Sequence, residues 1–253
     1  CYSGSLKKFS ECKEVCDPKF QYDSSNCTGD KVLTGNSCGG KYEKCIEPLQ
    51  YLYSDRTLSA EIIPGKSVIG IAVDPENRLA VAIDYIMTTG WGGYGIDIPT
   101  LENTPSSGAG IYVRGERDSY LIRDGKANTA KILAYGRSNG ISYPAAEAAY
   151  NYQPGSCSSS SWCGRGNWYL PSNWQGFPYF DNRATIHLML KAINKMPDDW
   201  WYTRNDFYTV TSNEINAKES GFIYINTGGM AHGGKNLTEP DNLQTLVLPY
   251  ITY

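Results

Sequence analysis

Histidine, net charge and long apolar runs are what this sequence has little of. Two histidines in 253 residues leave few ways to build a histidine base or metal centre. Charged residues make up 19%, and the formal net charge is −3 with a pI of about 5.5. A basic excess that would neutralise phosphates is missing, which argues against a nucleic-acid partner. The longest apolar run, residues 68–73, falls far short of the ~20 residues that a membrane-spanning helix needs, so no transmembrane segment is expected. No signal peptide opens the chain, which reads as a mature or trimmed form.

Tyrosine (20), glycine (26) and cysteine (8) are plentiful. Low charge with many tyrosines suits extracellular binding faces, where Tyr gives contact area at low entropic cost; it equally suits β structure. The cysteine count is even, and Cys1, Cys12, Cys16, Cys27, Cys38 and Cys45 all precede residue 46. That clustering predicts a disulfide framework and an oxidising compartment. Zinc is the rival, since Cys12 and Cys16 have a ligand-like spacing. No second pair follows at finger distance, and His187 and His232 lie far away. Lipidation of Cys1 would leave one of the other cysteines unpaired.

Residues 1–48 read as a separate stalk or repeat module. Cys1 to Cys12, Cys16 to Cys27 and Cys27 to Cys38 share an 11-residue spacing, and Lys8-Phe9-x-x-Cys12 recurs as Lys41-Tyr42-x-x-Cys45, as expected of one repeat after a partial one. Too few apolar residues are present for a core, so disulfides must hold it. Their connectivity is not readable from sequence.

Residues 49–253 form the second expected domain. Residues 49–61 suit a linker or first strand. Residues 68–73 and 79–83 flank Asp74-Pro75-Glu76-Asn77, a β-hairpin. Residues 88–120, rich in Gly, Pro, Ser and Thr, predict a long irregular excursion of the kind that is often functional. Asn128 is placed to cap a helix through about Tyr135 and Ser142 a second, with Pro144 in its first turn and Ala145, Ala148, Ala149 and Tyr152 on one face. Ile186, Met189, Leu190 and Ile193 mark a helix over about 182–195, stopped by Pro197. Residues 207–211, 221–226 and 244–252 suit strands, with Pro249 at an edge or bulge. Helices followed by strands give an α+β order.

Between these blocks lies Trp162-Cys163-Gly164-Arg165-Gly166-Asn167-Trp168-Tyr169-Leu170-Pro171-Ser172. Cys157 stands six residues before Cys163 across four serines; a loop of that composition cannot pack a core, and a Cys157–Cys163 bridge would close it. Trp168-Tyr169-Leu170 then reads as a short buried segment ended by Pro171. Together with Asp124-Gly125-Lys126-Ala127-Asn128-Thr129 and Tyr143-Pro144-Ala145-Ala146-Glu147-Ala148-Ala149, this stretch resembles the bacterial extracellular domains at the C-terminus of collagen-like, Lcl-type adhesins. These are distant C-type-lectin-like folds akin to the formylglycine-generating-enzyme group. The resemblance spans residues 62–253 and implies a C-type-lectin-like domain after a small disulfide-rich N-terminal module. The related enzymes use reactive cysteines with copper. Cys157 and Cys163 have no adjacent Lys or His to lower a thiol pKa, so a structural bridge is expected. Family members carry an acidic-aliphatic pair after the Pro-Ser; Asn173-Trp174-Gln175-Gly176-Phe177 stands there instead, and no site is carried across.

Three constellations could carry chemistry. Gly136-Arg137-Ser138-Asn139-Gly140 matches the nucleophile-elbow pattern, but a helix rather than a strand precedes it, and a polar interhelical loop is the better reading. Glu239-Pro240-Asp241-Asn242 is similar to the Glu-Pro-Asn signature of calcium-dependent lectins, departing from it in the residue after Pro. Calcium is thus the one cofactor left open, with a plain surface turn favoured. Trp200-Trp201-Tyr202-x-Arg204 and Trp174-x-x-Phe177-Pro178-Tyr179 are aromatic clusters suited to sugar rings, protein partners or a core. Candidate ligand-binding residues are therefore Tyr202, Arg204, His232, Lys235, Glu239, Asp241 and Asn242. The glycine-dense stretch 226–242 is expected as an exposed loop or twisted hairpin end. Asn26-Cys27-Thr28 and Asn236-Leu237-Thr238 are sequons. The expectation is a non-enzymatic bacterial surface or secreted protein, a pilin-like or fibre subunit of a surface appendage or a stalked adhesin, with a glycan-binding module using the loops around residues 200–206 and 226–242 as the alternative. Its partner would be itself in a homo-oligomer or filament, a surface protein, or a glycan.

Overall fold

The structure, a computed structural model, describes residues 32–34, 44–46, 49–104, 111–112, 124–195, 208–224, 230–236 and 245–253; in 32–34, 44–46, 111–112 and at 230 it does so for the backbone alone. The chain divides into two compact units between Gln50 and Tyr51. In the first unit β1 (Val32–Thr34) pairs antiparallel with β2 (Lys44–Ile46), setting Leu33 opposite Cys45. The Cys-rich repeat otherwise lies outside the described residues.

The second unit is α+β, with two sheets among the described residues. β3 (Gln50–Tyr53), β4 (Leu58–Ser59), β5 (Val68–Asp74), β6 (Leu79–Ala82) and β13 (Tyr250–Thr252) form one, in the order β13-β6-β5-β3-β4. The expected hairpin is its centre: β5 and β6 pair antiparallel. Asp74 accepts from the Asn77 backbone and side chain at 3.2 and 2.7 Å, fixing the turn. β5 is buried on both faces from Ile69 to Val73, matching its unbroken apolar run.

The other sheet is mixed. It comprises β7 (Ile86–Thr88), β8 (Ile111–Tyr112), β9 (Tyr208–Glu214), β10 (Glu219–Tyr224), β11 (Met230–Gly234) and β12 (Thr245–Val247), in the order β7-β12-β9-β10-β11-β8. β12 runs parallel to β9; the other pairs are antiparallel. The expected strand over 244–252 is two strands, one in each sheet. Pro249 sits where the chain changes sheet, and its carbonyl accepts from Ala82 N at 2.8 Å. Proline suits that junction because it has no N–H to offer a ladder.

Helices α1 (Gly125–Asn139), α2 (Pro144–Asn151), α3 (Asn173–Asp181) and α4 (Arg183–Ala192) complete the unit. Asp124, not Asn128, caps α1, accepting from Ala127 N at 2.9 Å. Asn128 lies one turn inside, buried, donating to Ser212 Oγ at 3.2 Å. At α2 the capping residue is Tyr143, whose N–H donates to Glu147 Oε1; Ser142 binds that carboxylate from outside. Pro144 opens the helix as expected. Helix α3 departs from the sequence expectation, which placed no helix there. Ser172 and Gln175 make a capping box, and Pro178 is accommodated inside a nine-residue helix. α4 buries Ile186, His187 and Leu190 and ends at Ala192, ahead of Asn194 at φ 55°, so Pro197 is not what stops it.

Segment 168–172 ties the two sheets together. Tyr169 exchanges backbone hydrogen bonds with Tyr250 of β13 at 3.0 and 2.9 Å, while Pro171 O accepts from Ser212 N of β9 at 2.7 Å. Leu170 packs among Ile132, Tyr143, Val210 and Val247. Trp168 packs with Leu52, Ile69, Ile251 and the Cys157–Cys163 disulfide, which the structure forms.

Candidate functional site

β9 is unusual in being polar and wholly buried. Thr209, Thr211, Ser212, Asn213 and Glu214 are all at most 2% exposed, and groups so placed are costly unless bonded. Each finds partners. Thr211 Oγ1 donates to Asn173 Oδ1 at 2.6 Å, Asn213 Oδ1 accepts from Asn173 N at 2.7 Å, and Asn213 Nδ2 donates to Thr104 Oγ1 at 2.7 Å. The strand thus hydrogen-bonds both to helix α3 and to the loop after β7.

That loop, 89–104, is glycine-rich and pinned at several points. The Trp91 indole N–H donates to Thr211 O at 2.8 Å. Trp91 N and Gly92 N both donate to Lys235 O, and Gly95 N donates to Ala217 O. Gly92 is at φ 101°, and a Cβ there would lie 2.7 Å from Ser142 O and from Tyr143 Cα, so only glycine brings the loop this close to the start of α2.

A buried ion pair holds its centre. Lys235 Nζ contacts Glu214 Oε1, with both side chains fully buried. Nζ also donates to Ile96 O at 2.6 Å and lies 4.9 Å from the Trp91 ring centroid. Glu214 Oε2 accepts from Ile98 N at 3.1 Å. Burial pushes the Glu214 carboxyl up and the Lys235 ammonium down, each partly offset by the other; both shifts run toward the neutral forms. The loop reaches the surface between its anchors, with Tyr94 50% exposed and Asp97 accepting from Asn103 Nδ2 at 2.8 Å. The arrangement fixes a tyrosine-bearing loop on a rigid sheet.

Of the candidate residues, His232 and Lys235 are described; Tyr202, Arg204, Glu239, Asp241 and Asn242 lie outside the described residues. Lys235 is a correction: it is wholly buried and offers nothing to a ligand. Of the two expectations for 226–242, an exposed loop or a twisted hairpin end, the described part favours the hairpin: Met230–Gly234 is a strand paired antiparallel with β10, with His232 opposite Gly221. His232 Nδ1 stands 3.3 Å from Glu219 Oε1. Phe177 and Tyr179 are buried, placing that half of the aromatic cluster in the interior. Ser138 is exposed in the last turn of α1, and Gly140 caps the helix at φ 66°, so the strand–serine–helix arrangement of a nucleophile elbow does not occur there. Among the described residues, no three His, Cys, Asp or Glu side chains gather to hold a metal, and no helix is long and apolar enough to cross a membrane.

Sequence reasoning missed Glu214, Asn213, Trp91 and Thr104. One signal was there: Thr209-Val210-Thr211-Ser212-Asn213-Glu214 is polar on both faces of a strand.

No protein-family model matches the chain, and no curated protein matches it. A solved structure, a fimbrial protein from Bacteroides ovatus, is similar, with a TM-score of 0.50 and 12% identity over 81% of this chain and 48% of that one. The chain thus spans about half the length of that protein. At 12% identity the likeness is one of fold.

Proposed function

We propose that the chain is a non-enzymatic subunit of a bacterial surface appendage, pilin-like or fibre-forming, or a stalked adhesin displayed outside the cell. The observation that carries this is the likeness of its α+β fold to a fimbrial protein. The Cys157–Cys163 bridge supports an oxidising compartment. The polar residues of β9 are spent on internal bonds rather than turned toward a cleft, which favours a scaffold that presents loops. In this reading residues 1–48 are the stalk. Residues 49–253 are a C-type-lectin-like domain, on the strength of the motifs at 124–129, 143–149 and 168–172.

Its partner is then a further copy of itself or another surface protein. Electron microscopy of the purified full chain over a concentration series tests this. Filaments or ordered oligomers are the expected result. A monomer at all concentrations, with antibody against the chain failing to label intact cells, would overturn the reading.

A further inference from the structure

The contact between Lys235 and Glu214 has a chemistry that a loop anchor does not require. β9 and β11 lie on either side of β10, with Glu214 opposite Ser220 and Gly234 opposite Glu219. Lys235 follows β11 directly, where its N–H donates to Lys218 O at 2.8 Å just before β10 begins, and its side chain reaches Glu214 at the end of β9. Both charged groups are fully buried, where ionised groups are expensive to keep.

We propose that Lys235 and Glu214 condense into an intramolecular amide joining Nζ to Cδ and cross-linking β11 to β9. The hydrogen bonds around the two groups fit the product as well as the ion pair. Nζ already donates to Ile96 O at 2.6 Å, and an amide N–H would keep that bond. Oε2 already accepts from Ile98 N at 3.1 Å, and an amide oxygen would keep that one. What disappears is the pair of buried charges.

The step balances without a co-reactant. A proton passes from the ammonium to Oε1 across the contact, leaving an amine and a carboxylic acid. Burial favours that neutral pair, raising the carboxyl and lowering the ammonium. The nitrogen lone pair then attacks Cδ, and the carbonyl electron pair moves onto Oε2. The Ile98 N–H is positioned to stabilise the oxyanion. The Cδ–Oε1 bond breaks, and Oε1 leaves as water with its own proton and one more from nitrogen. Of the three ammonium hydrogens, one stays in the amide and two depart with the water. The reacting groups are held in contact, and proximity of this kind replaces a bimolecular encounter.

This inference does not depend on the appendage reading. It is tested on the purified full chain by intact mass under denaturing conditions, then by peptide mapping. The expected mass is one water below that of the sequence after allowance for disulfides, with a branched peptide joining the segments that hold Glu214 and Lys235. Lys235→Arg should restore the missing water. If that variant does not fold, the mass of the unaltered protein decides alone. A chain at its full sequence mass, or a water loss mapped to any other site, would overturn the proposal.

Discussion

At the scale of single residues, two buried groups carry most of the leverage. Lys235 and Glu214 secure the 89–104 loop through Ile96 O and Ile98 N. Whether the two are held as an ion pair or joined as an amide, removing one member leaves the other buried with its partner gone, and breaking a buried pair typically costs about 3–5 kcal/mol. Lys235→Met should therefore lower the urea midpoint strongly, and Lys235→Met with Glu214→Leu should recover part of the loss. A single variant as stable as the parent would show the pair to be idle. His187 is the second group. It is 4% exposed, its Nε2 lies 3.0 Å from Tyr179 Oη, and Tyr179 Oη lies 2.6 Å from Tyr85 Oη. Burial first, and the nearby Arg183 second, lower its pKa from 6.5 to about 4. The unfolded chain thus binds more protons between those values, so stability should fall as pH drops from about 6.5 to about 4, then level off. The loss should be on the order of 3 kcal/mol at most. His187→Gln should flatten that part of the profile of urea midpoint against pH; an unchanged slope would assign it to other groups.

At the scale of elements, close approaches decide more than propensities. Gly125 starts α1 against segment 168–172. A Cβ there would lie 2.3 Å from Leu170 O and 2.6 Å from Ser172 N, both backbone atoms. Gly125→Ala should therefore destabilise by about 1–3 kcal/mol despite alanine's better helix propensity, read as a drop in Tm. A rise in Tm would mean that the segment yields easily. The 68–73/79–83 hairpin and α2 were legible because their signals are local: apolar runs around a turn, and a proline at the first helical position. The cap of α1 was misplaced because Asp124 and Asn128 are both good capping residues, and only tertiary packing with Ser212 settles which one goes inside. α3 was hidden by Gly176 and Pro178, two poor helix residues that its capping box and the burial of Phe177 and Tyr179 outweigh. The 89–104 loop was legible as irregular. Its anchoring was not, because Glu214 and Lys235 are brought together only by the β9-β10-β11 pairing.

At the scale of the whole molecule, the assembly and glycan readings differ in what they ask of the surface. A calcium-dependent glycan site needs six or more oxygens converging on one cation, and the Glu239-Pro240-Asp241-Asn242 stretch would have to supply many of them. An assembly subunit needs instead a rigid scaffold with loops fixed for contact, because preorganisation cuts the cost of association. The described residues supply features of that second kind. Two sheets are joined through segment 168–172, and a loop bearing the half-exposed Tyr94 is held from beneath by buried bonds. Low charge also leaves little repulsion between copies at close range. The assembly reading therefore expects a glycan array to stay blank with or without calcium. It also expects Glu239→Gln with Asp241→Asn to leave self-association unchanged, while Tyr94→Ser, on the pinned loop, weakens it without lowering Tm. Chelator-sensitive binding to any sugar, lost in the Glu239→Gln, Asp241→Asn variant, would reverse that ranking and make the chain a lectin. Such a result would also assign its working surface to residues 239–242 rather than to the loop that Glu214 and Lys235 hold.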